Sequence, residues 1–254
     1  MQDNTKRFSD RVEDYIKYRP SYPKDIFKIL QRETLLVADG IIADIGAGTG
    51  KLTEVLLQGE NRIFAVEPNG PMREASEALL HSYPNFSAMD GTAEQTGLED
   101  HSVDLITVGQ AFHWFDIPAC RKEFLRILKP EGWVALIWNR RRIHESGFQA
   151  TYETMLQNFG TDYKTVRHHN VDDTVLQSFF GKSDYTLHSL EYVQEFDFEG
   201  LKGRLMSSSY APRKDHPDHV PMMEALKKVF DEFEEDGKVE FAYDTQIYLG
   251  QIKP

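Results

Sequence analysis

Strand-like and helix-like patterns alternate along residues 41–139, and this alternation constrains the fold more than any other feature of the chain. Short apolar runs predict five strands, which are IIADI, RIFAVEP, FSAM, VDLITVGQA and GWVALIWN. Amphipathic segments between them, such as PMREASEALLHSY and IPACRKEFLRILKP, predict helices. Such alternation is typical of a doubly wound α/β fold with right-handed crossovers. Ligands of these folds bind at the carboxyl ends of the strands.

The alternation weakens after residue 139. Residues 140–183 mix polar helix with loop, and DYTLHSLEYVQEFDF predicts a strand with an interruption. LKGRLMSSSY predicts a short helix that runs into a turn, and HVPMMEALKKVFDEFEEDG predicts an amphipathic helix that ends at Gly237. KVEFAYDTQIYLGQI predicts a final strand. With the two late strands, we expect a seven-stranded, mostly parallel sheet with an elaborated C-terminal half.

Composition narrows the classes of function. The 254 residues, 40% of them hydrophobic, suit a globular protein with a substantial core. The formal net charge of -12 disfavours a nucleic-acid partner. A single cysteine, Cys120, a polar start and the lack of an apolar run of about 20 residues predict a cytoplasmic protein that does not enter a membrane. HExxH and CxxC motifs are absent, so we expect no metal site.

Three glycines follow the first strand in ADIGAGTGKLT, and they predict a turn at which the backbone approaches a nucleotide-like ligand. A triphosphate-binding Walker loop is excluded, because its first glycine would fall at Ile45 and its hydroxyl residue at Leu52. The dinucleotide fingerprint GxGxxG would need its third glycine at Lys51. That mismatch weakens the hypothesis of a nicotinamide-dependent oxidoreductase and leaves it open.

Several motifs in order along residues 40–140 resemble those of class I S-adenosylmethionine-dependent methyltransferases of the small-molecule type. DIGAGTG resembles their first motif, and FAVEPNGPM carries an acidic residue, Glu67, at the end of the second strand. DGTAEQTGLEDHSVDLITVGQAFHW and LRILKPEGWVALIWN resemble the later motifs. FSDRVEDYIKYRPSYP resembles the segment that covers the cofactor in that family.

The resemblance implies S-adenosyl-L-methionine as the cofactor, with Glu67 accepting hydrogen bonds from both ribose hydroxyls. Asp44 either meets the amino-acid end of the cofactor or caps the next helix, and Arg19 either clamps a carboxylate or forms a surface ion pair. The turn that meets adenine carries Thr92 where many relatives have Asp. The residues expected to contact the cofactor are Asp44, Gly46, Ala47, Gly48, Gly50, Glu67, Pro68, Thr92, Ala93, Gln110 and Arg19.

The resemblance also implies one domain over residues 1–254. We expect a cofactor-covering segment over about residues 1–35 and a cofactor-binding core over about 36–140. A substrate-side insertion would follow over about 141–220, and a final helix and strand over about 221–254.

The acceptor side is expected to draw on residues that follow the cofactor motifs. His113 is either a general base or, with Trp114, part of the packing at the start of a helix. The basic run at 140–142 suggests an anionic small-molecule substrate, although a solvated loop is the default explanation for such a run. Ser and Tyr in GRLMSSSY offer donors but also serve to end a helix. The residues expected to contact the acceptor are His113, Trp114, Arg140, Arg204 and Tyr210.

The function predicted from the sequence is therefore methyl transfer to a small molecule by in-line displacement. Such a step depends largely on positioning, and no nucleophilic triad is visible. Three alternatives remain: the oxidoreductase, a methyltransferase acting on nucleic acid or protein, and a non-catalytic protein that keeps the fold. The identity of the acceptor cannot be deduced from these residues.

Overall fold

A computed structural model describes residues 12–143, 147–161, 163, 173–181 and 185–253. The strands are β1 (Ile41–Ile45), β2 (Arg62–Val66), β3 (Phe86–Met89), β4 (Val103–Gly109), β5 (Leu128–Arg141), β6 (Tyr185–Phe196) and β7 (Val239–Gly250). The helices are α1 (Val12–Tyr18), α2 (Asp25–Thr34), α3 (Lys51–Leu56), α4 (Gly70–Leu80), α5 (Ile117–Ile127), α6 (Phe148–Phe159), α7 (Asp173–Phe180), α8 (Phe198–Met206) and α9 (His219–Phe233).

The seven strands form one sheet in the order β3-β2-β1-β4-β5-β7-β6. Strands β1 to β5 pair in parallel, whereas β7 lies antiparallel to both β5 and β6. The predicted doubly wound, seven-stranded, mostly parallel sheet is confirmed. The strand order reverses between β1 and β4, which places a ligand crevice at their carboxyl ends.

Alternating side chains of the central strands pack on opposite faces of the sheet. Ile42 and Leu105 join a core with α2 and α3, whereas Ala43 and Ile106 join a second core with α5 and α7. Residues of α6, α8 and α9 form a third core with the start of β7. The helices of these cores thus pack against the strands.

Two sequence predictions in the C-terminal half are wrong in detail. β6 is continuous, because it pairs with β7 at every position from Tyr185 to Phe196, and its polar side chains belong to the exposed side of an edge strand. α9 ends at Phe233 and not at Gly237. Asp236 and Gly237 both have positive φ and form the turn that leads into β7.

Two local features explain the helix starts near the crevice. The side chains of Asn69 and Asp116 accept hydrogen bonds from the Met72 and Ala119 amides, which caps α4 and α5. A proline occupies the first turn of each helix. The division of the chain into one domain with four segments stays a prediction. Among the helices of the described ranges, none has the length and apolar character needed to cross a membrane.

Candidate functional site

A cavity of about 330 Å³ lies at the carboxyl ends of β1, β2, β4 and β5. α1, α8 and β7 contribute to its far wall through Tyr15, Arg204 and Tyr243. The residues singled out from the sequence that line it are Arg19, Asp44, Gly46, Ala47, Gly48, Glu67, Pro68, Thr92, Ala93, Gln110, His113, Trp114, Arg140, Arg204 and Tyr210. Gly50 does not line this cavity. The structure therefore brings the two predicted groups of residues together in one space.

The three glycines after β1 have two kinds of surroundings, close packing at Gly46 and Gly50 and more space at Gly48. All have positive φ, which favours glycine. A Cβ at Gly46 would collide with Ala111, and one at Gly50 would collide with Leu80 of α4. At Gly48 the nearest atom to such a Cβ is 3.8 Å away, on Met72, so the backbone there borders open space. Gly50 thus permits helix packing, and Gly48 leaves room for a ligand.

Asp44, at the end of β1, has a fully buried carboxylate. It accepts hydrogen bonds from the hydroxyls of Thr53 (2.6 Å) and Thr107 (2.9 Å). Burial raises the pKa of Asp44 from 3.8 to about 6, and the two hydroxyl bonds oppose this rise. The carboxylate therefore borders the cavity and has a pKa about one unit below neutral pH. Its bonding to Thr53 also ties it to the first turn of α3, in line with the alternative prediction for this residue.

Glu67, just after β2, joins the glycine turn to the start of α4. Its two carboxylate oxygens accept hydrogen bonds from the amides of Gly48 and Asn69, each at 2.8 Å. Burial raises the pKa of Glu67, while these amide bonds counteract the effect. A carboxylate has about four acceptor positions, so two bonds fix its orientation and leave acceptor capacity for a diol.

Two side-chain oxygen atoms in the cavity wall are buried and have no hydrogen-bond partner in the described structure. They are Oε1 of Gln110 and Oγ1 of Thr49. Gln110 also has a positive φ of 59°, and its Nε2 donates to the Asn139 carbonyl. Because an unsatisfied buried acceptor costs about 1–3 kcal/mol, both atoms mark positions where a ligand would provide the missing bond. Thr49 was missed in the sequence, although its place between Gly48 and Gly50 signals it.

Two short turns carry further predicted residues, Thr92 and Ala93 of the cofactor group and His113 and Trp114 of the acceptor group. Thr92 and Gln95 exchange backbone hydrogen bonds in the turn after β3, and Ala93 is buried beside them. His113 and Trp114 belong to a 3₁₀ turn after β4, with ring centroids 4.5 Å apart. Both line the cavity, so neither is simply packed in the core.

α1 is tied to the glycine turn and to α8. Nζ of Lys51 donates to the Ile16 carbonyl at 2.8 Å, and Arg19 donates through Nη2 to the Ser207 carbonyl at 3.1 Å. The ring of Tyr18 lies directly against Gly203, where any Cβ would overlap it. The position of α1 therefore depends on both ends of the cavity.

The opposite end of the cavity is an arginine–tyrosine cluster, which we define as Arg19, Arg141, Arg204, Tyr163, Tyr210 and Tyr243. Arg141 pairs with Glu153 at 2.9 Å and contacts the Tyr163 hydroxyl. Arg204 donates to the hydroxyls of Tyr243 and Ser208. Of the run 140–142, Arg140 and Arg141 line the cavity, while Arg142 points away and pairs with Glu191 and Asp244. The predicted place of this basic run at the site therefore fits Arg140 and Arg141, whereas Arg142 forms ion pairs outside the cavity.

The strand order, with β7 antiparallel between β5 and β6, and the glycine turn with Glu67 after β2 define the class I methyltransferase fold. Comparisons with known proteins agree. A profile of the methyltransferase domain family matches residues 43–136. An uncharacterized methyltransferase-like protein of Schizosaccharomyces pombe is 38% identical over 141 residues, which is 55% of this chain and 54% of that protein. The match thus spans about half the length of such relatives.

Two further comparisons cover most of the chain. A Dictyostelium discoideum protein named as a methyltransferase is 26% identical over 248 residues, 92% of this chain and 89% of its own. A solved structure assigned as a type II methyltransferase of Anaeromyxobacter dehalogenans aligns with a TM-score of 0.73, at 22% identity, over 93% of this chain and 99% of that one. The chain is therefore similar to methyltransferases in sequence over residues 43–136 and in fold over most of its length.

Proposed function

We propose that the protein transfers a methyl group from S-adenosylmethionine to a small-molecule acceptor. The observation that carries this proposal is that one cavity joins two chemically different ends. One end has the glycine turn, Asp44 and Glu67, and the other has the arginine–tyrosine cluster. A methyl donor and an acceptor need such adjoining sites, because in-line displacement requires both reactants in one orientation.

The residues of the first end fit the proposed cofactor. Glu67 would accept hydrogen bonds from the ribose hydroxyls, and the open space at Gly48 admits the nucleoside. Asp44 and Gln110 offer acceptors for the ammonium group of the amino-acid end. Thr92 and Ala93 would border the adenine. We take Gly50 to serve the packing of α4 and not to contact the cofactor.

The protein's contribution to the reaction is mainly positioning. When bound, the cofactor supplies a methyl carbon that is activated by its sulfonium. The aromatic side chains of Trp114 and Phe115 line the cavity and exclude water from the reacting atoms. His113 lies on the same turn and is our candidate for holding an acceptor proton. The net charge of -12 favours a small molecule over a nucleic acid.

Methyl transfer from isotopically labelled S-adenosylmethionine tests the proposal. The purified protein is incubated with pooled small metabolites, and mass spectrometry detects labelled products. We expect a labelled small molecule that forms with the wild type and falls about tenfold or more with Glu67→Ala, which loses charge-assisted hydrogen bonds to the cofactor. Glu77→Ala, an exposed glutamate on α4, is the control and should retain activity. Label that appears in protein alone would contradict a small-molecule acceptor.

A further inference from the structure

The arginine–tyrosine cluster holds more positive charge than the described part of the chain neutralises. Arg204 is 5% exposed and Arg141 has a side chain that is 14% exposed. Nε of Arg19 is buried without a hydrogen-bond partner. All three side chains line the cavity. Burying a cation without an opposite charge is costly, so the partners of each guanidinium decide what the cluster can bind.

Within the described ranges, one carboxylate contacts these three guanidiniums, and it is Glu153 on Arg141. The other two arginines have neutral partners. Arg19 donates to the Ser207 carbonyl, and Arg204 donates to the hydroxyls of Tyr243 and Ser208. Among the described residues, no carboxylate therefore contacts the guanidinium of Arg19 or of Arg204.

The pKa values of Arg19 and Tyr210 are both lowered by the positive charges near them. Burial and the nearby Arg204 guanidinium both lower the pKa of Arg19. Burial alone would raise the pKa of Tyr210, but the guanidiniums of Arg141, Arg204 and Arg19 outweigh it and lower that pKa. The Tyr210 hydroxyl is thus a strong donor inside a positive field.

We propose that the arginine–tyrosine cluster is an anion site and that the methyl acceptor carries two negative charges. This inference rests on the proposed function and names its substrate class. A dianion would neutralise Arg19 and Arg204 directly.

The chemistry common to such acceptors is a pair of carboxylates or one phosphate monoester group. The planar guanidinium fork binds either group with two parallel hydrogen bonds, and the Tyr210 hydroxyl adds a further donor. The competing explanation is that the cluster only ties α1, α8 and β7 together. That explanation predicts no preference among ligands by charge.

Ligand binding to the protein saturated with S-adenosylhomocysteine tests the proposal. Thermal shifts and calorimetry are measured at constant ionic strength with succinate and inorganic phosphate as dianions, acetate as a monoanion, and succinamide as a neutral analogue of succinate. Succinate and phosphate distinguish the two kinds of dianion. The same measurements are made on Arg204→Gln and on the control Arg142→Gln, whose arginine pairs with Asp244 and Glu191 outside the cavity.

We expect at least one dianion to bind about tenfold or more tightly than acetate, and succinamide not to bind. Arg204→Gln should remove that preference, while Arg142→Gln should keep it. Equal binding of succinate and succinamide to the wild type, or binding of none of the probes, overturns the anion site whatever the stability of the variants. Failure of S-adenosylhomocysteine to bind would contradict the proposed function instead, so the two failures are distinguishable.

Discussion

Asp44 and Glu67 are carboxylates that the fold holds in positions shielded from water. Both have a raised pKa because of burial, and both border the cavity. Each has hydrogen bonds that orient it, from two threonine hydroxyls for Asp44 and from two amides for Glu67. Buried carboxylates of this kind reduce stability, and they are typical of ligand sites that trade stability for binding.

Replacing Asp44 by Asn should stabilise the protein at high pH. The folded-state pKa of Asp44 is about 6, against 3.8 as the ordinary value, so the folded state binds more protons in that window and its stability falls as the pH rises through it. Asp44→Asn should therefore raise the free energy of unfolding by up to about 3 kcal/mol near pH 8. The gain should shrink as the pH falls through about 6 toward about 4.

Urea unfolding of the wild type and of Asp44→Asn across this pH range measures the effect. Asp39→Asn changes an exposed aspartate and should show little difference at any pH. A gain that does not depend on pH, or a loss of stability at pH 8, would show that the two threonine bonds dominate over burial.

At the scale of elements, α1 links the two ends of the cavity. It touches α3 through Lys51 and α8 through Tyr18 and Arg19. The ring of Tyr18 lies so close to Gly203 that a Cβ at this position would overlap it, so the contact requires glycine. α1 is therefore the element whose position should respond to ligands, and residues 12–22 should exchange amide hydrogen more slowly once cofactor is added.

Gly203→Ala should displace α1 without unfolding the sheet, because the new Cβ would overlap the ring of Tyr18. We expect faster hydrogen exchange over residues 12–19 and a several-fold weaker affinity for S-adenosylhomocysteine, with the exchange of β1 and β4 unchanged. Lys202→Ala, an exposed neighbour on α8, should behave as the wild type does. Unchanged exchange in residues 12–19 of Gly203→Ala would mean that α1 does not depend on this contact.

At the scale of the whole molecule, local and long-range features differ in how far the sequence predicts them. The glycine turn and Glu67 depend on a continuous stretch of chain, and the structure brings them together as predicted. The arginine–tyrosine cluster depends on contacts between distant segments, such as Arg19 with Ser207, which are 188 positions apart. No local pattern in the sequence shows that two segments so far apart along the chain are in contact.

The end of β5 is a smaller example of the same limit. The sequence pattern predicts that this strand ends near residue 139, so that the arginines after it lie outside the sheet. The strand continues to Arg141 because it pairs with β7 as far as Tyr243. The pairing with β7 fixes the positions of Arg140 and Arg141 at the cavity. A strand partner more than a hundred residues away cannot be identified from the local sequence pattern.

A calorimetric titration tests the central claim, that the first end of the cavity binds S-adenosylmethionine. The titrants are S-adenosylhomocysteine and NAD, and the proteins are the wild type, Glu67→Ala and Glu67→Gln. We predict saturable binding of S-adenosylhomocysteine and none of NAD, with an affinity about tenfold or more weaker in Glu67→Ala and a smaller loss in Glu67→Gln. Binding of NAD in the absence of any response to S-adenosylhomocysteine would contradict the account.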